Sequence, residues 1–261
     1  MNLQRLSAFA LAALVSASIL GGCGKSREDE LFGEADGDGG GSVAKIDPAT
    51  AATVAGSVVF EGTAPAPTPI DMSSDGICAA SPDAKSGAGD IQIKDGKVAN
   101  VFVYVSKGLE GQRFEAPKEA ATLDQKGCRY HPHVVGMMVG QPLKISNSDP
   151  TLHNVHPTPK KNKGFNQAQP NQGMVFEKTF PDEEIMIPFS CDVHGWMRSY
   201  VGVLSHPFFG VSGADGAFSL EGLPPGTYTV KAWHEKFGEQ EQEVTVAAKE
   251  SKNITFTFKA S

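Results

Sequence analysis

Helical periodicity is missing after residue 50, basic charge is scarce, and only one apolar run is long. Without apolar residues recurring at three and four positions, the building blocks left are strands. Lys and Arg number 23 against 30 Asp and Glu, a net charge of −7, which excludes nucleic acid as a partner. The apolar run, residues 6–20, falls short of the ~20 residues that cross a bilayer. The four cysteines include no Cys-x-x-Cys-His, so covalent haem attachment is excluded. No Ser/His/Asp set, paired acids or phosphate loop stands out, and no catalytic set can be read.

What is there is alternation. Ile91/Ile93, Val101/Val103/Val105, Val201/Val203, Phe218/Leu220, Tyr228/Val230, Val244/Val246 and Ile254/Phe256/Phe258 follow the period of half-buried strands. Asp95-Gly96, Asp215-Gly216 and Pro224-Pro225-Gly226 supply turns between them. The fold class expected is all-β, built of sandwiches.

The richest chemistry lies in Cys191-Asp192-Val193-His194-Gly195-Trp196-Met197. A thiol, an imidazole and a thioether recur every third residue. A second imidazole stands upstream at His153. Two His, one Cys and a weak Met form the ligand set of a copper electron-transfer centre, because soft sulfur suits copper(I) and imidazole suits copper(II). Ile185, Ile187 and Phe189 alternate, and Cys191 continues their parity, which aims its sulfur inward from a strand end. Leu143 and Ile145 form a strand that Asn147-Ser148-Asp149-Pro150 breaks, placing His153 on the following loop. A structural zinc site fits poorly, with one Cys and a Met on offer. A binuclear copper site needs a second Cys where Ile187 stands.

Gly140-Gln141-Pro142-Leu143 through His153-Asn154-Val155 resembles the first-histidine region of plastocyanin-like cupredoxins. Phe189-Ser190-Cys191 through Met197 resembles their ligand loop, with the short Cys-x2-His-x2-Met spacing of amicyanin. The resemblance covers roughly residues 115–205. It implies one copper per chain, with His153, Cys191 and His194 as equatorial ligands and Met197 as the axial one. It makes Asn154 the residue that hydrogen-bonds the ligand loop. The family usually carries Ser/Thr-Pro after the Cys, where this chain has Asp192-Val193, and Trp196 is bulky beside a His that normally lies nearest the surface. His156 is close enough to His153 in sequence to compete, and His131, His133 and His156 are candidates for a second metal site. Loop or strand-edge roles are the alternative for them.

Residues 1–22 read as a targeting segment, with Arg5 before the apolar run. Leu20-Gly21-Gly22-Cys23 resembles a bacterial lipobox, which implies cleavage before Cys23 and a lipid on its thiol. The membrane is then reached through this lipid alone. Residues 23–52 are rich in Gly and acid and read as a flexible linker, with an end-to-end distance of ~30 Å. In the oxidising cell envelope that this implies, Cys78 and Cys128 should form a disulfide. The alternative is that one of them is a further metal ligand.

Asp215-Gly216 through Thr229-Val230 resembles the carboxypeptidase regulatory-like β-sandwich, which has a prealbumin-like fold and carries no peptidase activity. Residues 54–62 and 98–105 resemble its opening strands. The expected organisation is therefore a first part of that sandwich at 53–114, a Greek-key cupredoxin at 115–205, and the second part at 206–261. The expected function is one-electron transfer between redox partners such as a cytochrome or a dehydrogenase, with His194 and the Trp196 loop as the electron exit, and no enzymatic turnover. Copper storage or delivery, an enzyme with an additional open metal site built from His131, His133 or His156, and a metal-free scaffold or adhesion lipoprotein are the alternatives. His234 is expected to pack at a strand end, and Phe208-Phe209 either packs in a core or joins an apolar patch near the metal.

Overall fold

The computed structural model describes residues 43–66, 69–85 and 91–260. The targeting segment, Cys23 and most of the linker lie outside the described residues. Each alternating run lies in or beside a strand, with Ile91 and Val101 just ahead of theirs, and the described residues hold eighteen strands in four sheets and two four-residue helical turns. None of their helices is long and apolar enough to cross a membrane.

The first sheet is centred on β1 (Ala52–Glu61). It pairs parallel with β18 (Ser251–Lys259) on one side, and antiparallel with β15 (Ala217–Leu223) and β3 (Lys97–Val98) on the other. β2 (Ile93–Lys94) extends the sheet beyond β3. The second sheet runs β14 (Phe209–Val211), β4 (Phe102–Lys107), β16 (Gly226–His234), β17 (Gly238–Val246). Alternate residues of both sheets meet in one core that includes Val54, Val58, Val103, Val105, Phe218, Leu220, Val230, Phe256 and Phe258. Four strands from the front of the chain, β1 to β4, thus share sheets with the C-terminal strands.

Between β4 and β14 the chain builds a second sandwich. One sheet runs β10 (Gln167–Gln169), β9 (His153–Pro157), β12 (Glu184–Ser190), β13 (Arg198–Leu204), β7 (Val134–Met138). The facing sheet runs β11 (Val175–Lys178), β8 (Leu143–Asn147), β5 (Ala121–Lys126), β6 (Arg129–His131). Their core holds Leu123, Leu143, Ile145, Val155, Ile187, Phe189, Cys191, Met197 and Val201. Residues 69–85, which the sequence assigns to the first sandwich, cross to this core and bury Met72 and Cys78 in it.

The two sandwiches meet face to face. β4 is buried on both sides, with Val103 and Val105 in its own core and Phe102 and Tyr104 in a separate cluster with Val134, Met186 and Leu204. Glycines make the close approach feasible. A Cβ on Gly202 of β13 would stand 2.7 Å from the Phe102 ring, and one on Gly136 of β7 would overlap the Phe209 ring. Substituting Gly202→Val should cost about 1–3 kcal/mol by overpacking. Thermal unfolding should register this as a fall of several degrees in Tm.

His234 ends β16 in the first core, stacked on Phe237 at 4.5 Å. Its Nδ1 accepts from the Lys236 N–H at 3.1 Å, the packing role expected from sequence. Burial disfavours the charged ring and pushes its pKa from 6.5 to about 4. The unfolded chain therefore binds the extra proton between these values, and stability falls as pH drops through that window. The loss reaches roughly 3 kcal/mol at its limit. Denaturant unfolding of His234→Phe should show a flatter pH dependence between 6.5 and 4.

Candidate metal centre

Strand parity carries Cys191 inward, but with an offset. A bulge between Glu184 and Ile187, with Met186 at φ 57°, interrupts the β12–β13 register. Ile187, Phe189 and Cys191 face the second core, whereas Ile185, expected on the same face, packs against the interface between the sandwiches. After Cys191 the loop curls back on itself. The Met197 N–H donates to the His194 carbonyl at 2.9 Å, and the Cys191 N–H donates to the Met197 carbonyl at 3.3 Å. This closes the seven-residue loop and buries Cys191, His194 and Met197 together.

His153 is the first residue of β9 rather than part of the preceding loop. Asn147 shapes that loop. Its Oδ1 accepts from the Asp149 N–H at 2.9 Å and its amide donates to the Thr151 carbonyl at 2.9 Å. Asp149 is thereby turned toward the ring of His153.

The Nδ1 atoms of His153 and His194 lie 2.9 Å apart, and Cys191 Sγ is 4.0 Å from His194 Nδ1. One ligand atom from each of the three lies within 4.8 Å of the others, and all three residues are buried. Each far ring nitrogen meets a carboxylate: His153 Nε2 lies 2.9 Å from Asp149 Oδ2, and His194 Nε2 lies 3.3 Å from Asp75 Oδ2. A carboxylate acceptor assigns the proton to Nε2 and leaves the Nδ1 lone pair free. Two such lone pairs at 2.9 Å repel unless a proton or a metal ion lies between them. The donor set therefore fits a cation, and its two imidazoles with one thiolate suit copper.

Without an ion, the electrostatics put a proton on His153, which a metal would have to displace. Burial opposes a charge on His153, yet the Asp149 hydrogen bond and the Cys191 sulfur outweigh it and push the pKa up to about 9. Burial likewise opposes the Cys191 thiolate. The bond from His153 and the N–H groups of Asn154, His194 and Val193 prevail and lower its pKa. For His194, burial and the neighbouring charge of His153 lower the pKa, against the pull of Asp75.

Asp75 and Asp149 were not singled out from sequence. Asp149 stands four residues before His153, a spacing that offered a signal. Asp75 is 119 residues from His194. It caps the short helix α1 (Gly76–Ala79), accepting from the Ile77 and Cys78 N–H groups, and its other oxygen accepts from the Thr151 hydroxyl at 2.8 Å. The Cys78–Cys128 disulfide ties this segment down, with Cys78 Sγ 3.7 Å from His194 Nε2. On the other side, the Trp196 ring packs against His194 at 5.0 Å and its indole N–H donates to the Cys128 carbonyl. His194 is consequently only 2 % exposed. The surface position that the resemblance implies for it is closed by the segment around Asp75.

Asn154 links the two ligand segments. Its backbone N–H points at Cys191 Sγ at 3.5 Å, and its side chain accepts from the Asp192 N–H at 2.6 Å. The Tyr130 hydroxyl lies between the Asn154 and Ser190 carbonyls, at 2.7 and 3.0 Å. His131, His133 and His156 do not gather. His131 meets the Lys126 carbonyl, His133 lies between the Arg198 carbonyl and Glu235, and His156 pairs with Asp192. Phe208 packs in the first core and Phe209 at the interface of the sandwiches, which settles both as packing residues.

Residues 207–259 match the carboxypeptidase regulatory-like domain. The regulatory-like match thus covers the last strands of the first sandwich. Structural neighbours of the chain are cupredoxins. A purple cupredoxin from Nitrosopumilus maritimus is 24 % identical over 32 % of this chain and 98 % of its own, with a TM-score of 0.28. An oxidised amicyanin variant is 21 % identical over 34 % of this chain and 86 % of its own, at 0.30. The copper-containing nitrite reductase of Thermus scotoductus SA-01 is 18 % identical over 40 % of this chain and only 25 % of its own, at 0.32. No curated protein sequence matches the chain.

Proposed function

We propose that this chain is an envelope-anchored, mononuclear copper protein that passes single electrons between redox partners, with His153, Cys191, His194 and Met197 holding the ion. The observation that carries the proposal is the convergence of His153 Nδ1, His194 Nδ1 and Cys191 Sγ in a buried site whose far ring nitrogens are held by carboxylates. Copper, when bound, supplies a one-electron couple. The chain's own residues supply rigidity: Asp149 and Asp75 fix both rings, the Asn154 N–H steadies the sulfur, and burial excludes water. A cage that cannot relax serves both charge states with little rearrangement.

Asp75 is the thin cover between His194 and solvent, its side chain 21 % exposed. Ile77, Leu152 and Val193, each within two residues of Asp75, His153 or His194, expose large apolar side chains. Such surface suits a small, transient contact with a redox protein. A lipid on Cys23 and the acidic linker would hold the sandwiches outside the cytoplasmic membrane.

The test is to add copper(II) to the full chain and record the visible spectrum and metal content. An intense thiolate-to-copper band at one copper per chain is expected. A folded protein without that band would sink the proposal. Rapid loss of copper to a mild chelator would replace it with metal delivery.

A further inference from the structure

A cavity of about 240 Å³ adjoins the copper candidate, with Trp196 and Met197 of the ligand loop in its wall. Arg129, His131 and His133, on and just after β6, and Arg198 of β13 supply its basic lining. Gln92 and Asn100, from the first sandwich, add two amides. Among the described residues no Asp or Glu lines it, in a chain whose net charge is −7. A cleft lined by one sign of charge concentrates the opposite sign, so this one selects for anions. It is smaller than the ~300–1,000 Å³ pockets that enclose drug-sized ligands.

The lining groups differ in what they have left to offer. The Trp196 indole N–H already donates to the Cys128 carbonyl. His133 uses both ring nitrogens, on the Arg198 carbonyl at 3.1 Å and on Glu235. His131 uses Nε2 on the Lys126 carbonyl at 3.1 Å and keeps Nδ1. Arg129 is engaged by a contact of its own. The Arg198 guanidinium, by contrast, meets no carboxylate and no hydrogen-bond acceptor among the described residues, and the Gln92 and Asn100 side-chain amides have no partner there either. The planar fork of an arginine matches two oxygens of one anion. We propose that this cavity binds a small oxyanion, inorganic or carboxylate, with Arg198 holding two of its oxygens and the Gln92 and Asn100 amides completing its hydrogen bonds.

The place of this cavity gives it a consequence. Met197, the proposed axial ligand, stands in its wall next to Arg198 in sequence. Trp196 joins the same wall to His194, its ring 5.0 Å from the imidazole. A negative charge held there stabilises copper(II) over copper(I) by Coulomb attraction, so occupancy lowers the reduction potential. By linkage, the oxidised chain binds the anion more tightly than the reduced chain, by the factor that shifts the couple. The anion site stands without copper; only this coupling rests on the copper reading.

The experiment titrates the full, metal-free chain by calorimetry with sulfate and, separately, with acetate, chloride holding the ionic strength constant. One anion per chain is expected, with a Kd of about 1 mM. Arg198→Gln, which trims an exposed side chain, should weaken that binding by about tenfold or more. Lys144→Gln, which removes an exposed charge from β8, should leave it unchanged. Binding of sulfate alone points to an inorganic ligand and of acetate alone to a carboxylate, and either upholds the site. No saturable binding of either anion overturns the proposal. So does binding that survives Arg198→Gln in a variant folded by circular dichroism. In the copper-loaded chain the bound anion should lower the reduction potential, with affinity about fivefold or more higher in the oxidised form. Equal affinities in the two forms overturn the coupling. Failure of the copper reading would show separately, as wild-type chain without the thiolate-to-copper band whose metal-free form still binds the anion.

Discussion

Replacing Cys191 with serine is expected to abolish the intense visible band of the copper-loaded chain and to lower copper affinity by orders of magnitude. The sulfur is the one soft anionic donor among the four proposed ligands, and its pKa is lowered in place by His153 and three backbone N–H groups. A hydroxyl has neither the softness nor the acidity to replace it. The fold should survive, because the exchange removes little volume. Visible spectra beside a thermal melt separate the two effects. An unchanged band would mean that the colour comes from another thiolate, and that the three buried donors are not the site.

Asp149→Asn should produce the second largest effect. Asp149 accepts from the Gly127 and Cys128 N–H groups at 2.7 and 2.8 Å and from His153 Nε2 at 2.9 Å. An asparagine amide would direct donors at some of these donors. Loss of one charge-assisted hydrogen bond costs about 1.5–3 kcal/mol. Groups that orient a metal-ligating histidine typically contribute 10–100-fold in affinity. Copper competition assays should therefore show at least a tenfold loss, with Tm down by several degrees. The pH dependence should change as well. Burial acts to raise the Asp149 pKa, but His153 and the two N–H groups lower it overall. A lowered carboxylate contributes stability above its unfolded pKa near 3.8 and loses it as pH falls through its folded value. The variant should lack that acid-side loss.

The part of the site that lies within a few residues was open to reading from sequence. Cys191, His194 and Met197 fall on one tight loop, and the strand before it announces its inward face at Ile187 and Phe189. His153 was legible through its neighbours, Leu143, Ile145 and the Asn147–Pro150 break. The bulge at Met186 was not, since an extra residue in a strand leaves the apolar alternation looking continuous on paper. Nor was Asp75. In Ser74-Asp75-Gly76 it reads as an ordinary turn, and only the folded chain carries it to His194. The face between the sandwiches was equally hidden. Gly136 and Gly202 look like weak points in strands until Phe102 and Phe209 are seen filling the space that they leave.

The way the second sandwich is threaded bears on the order in which the chain must assemble. β14 and β4 are hydrogen-bonded neighbours, with Phe209 opposite Tyr104 and Val211 opposite Phe102, although the whole second sandwich separates them in sequence. Closing an unstructured loop of ~100 residues costs about 4 kcal/mol in chain entropy, by (3/2)RT ln n. A sandwich already folded, with its entry and exit close together, removes most of that cost. The copper candidate's sandwich should therefore form early, and the regulatory-like sheet should zip last around its base. Refolding kinetics would then show Trp196, in the early sandwich, reaching its native environment ahead of Trp233 in β16. A lesion in the second core would slow both sandwiches, whereas one in the first core would slow only its own.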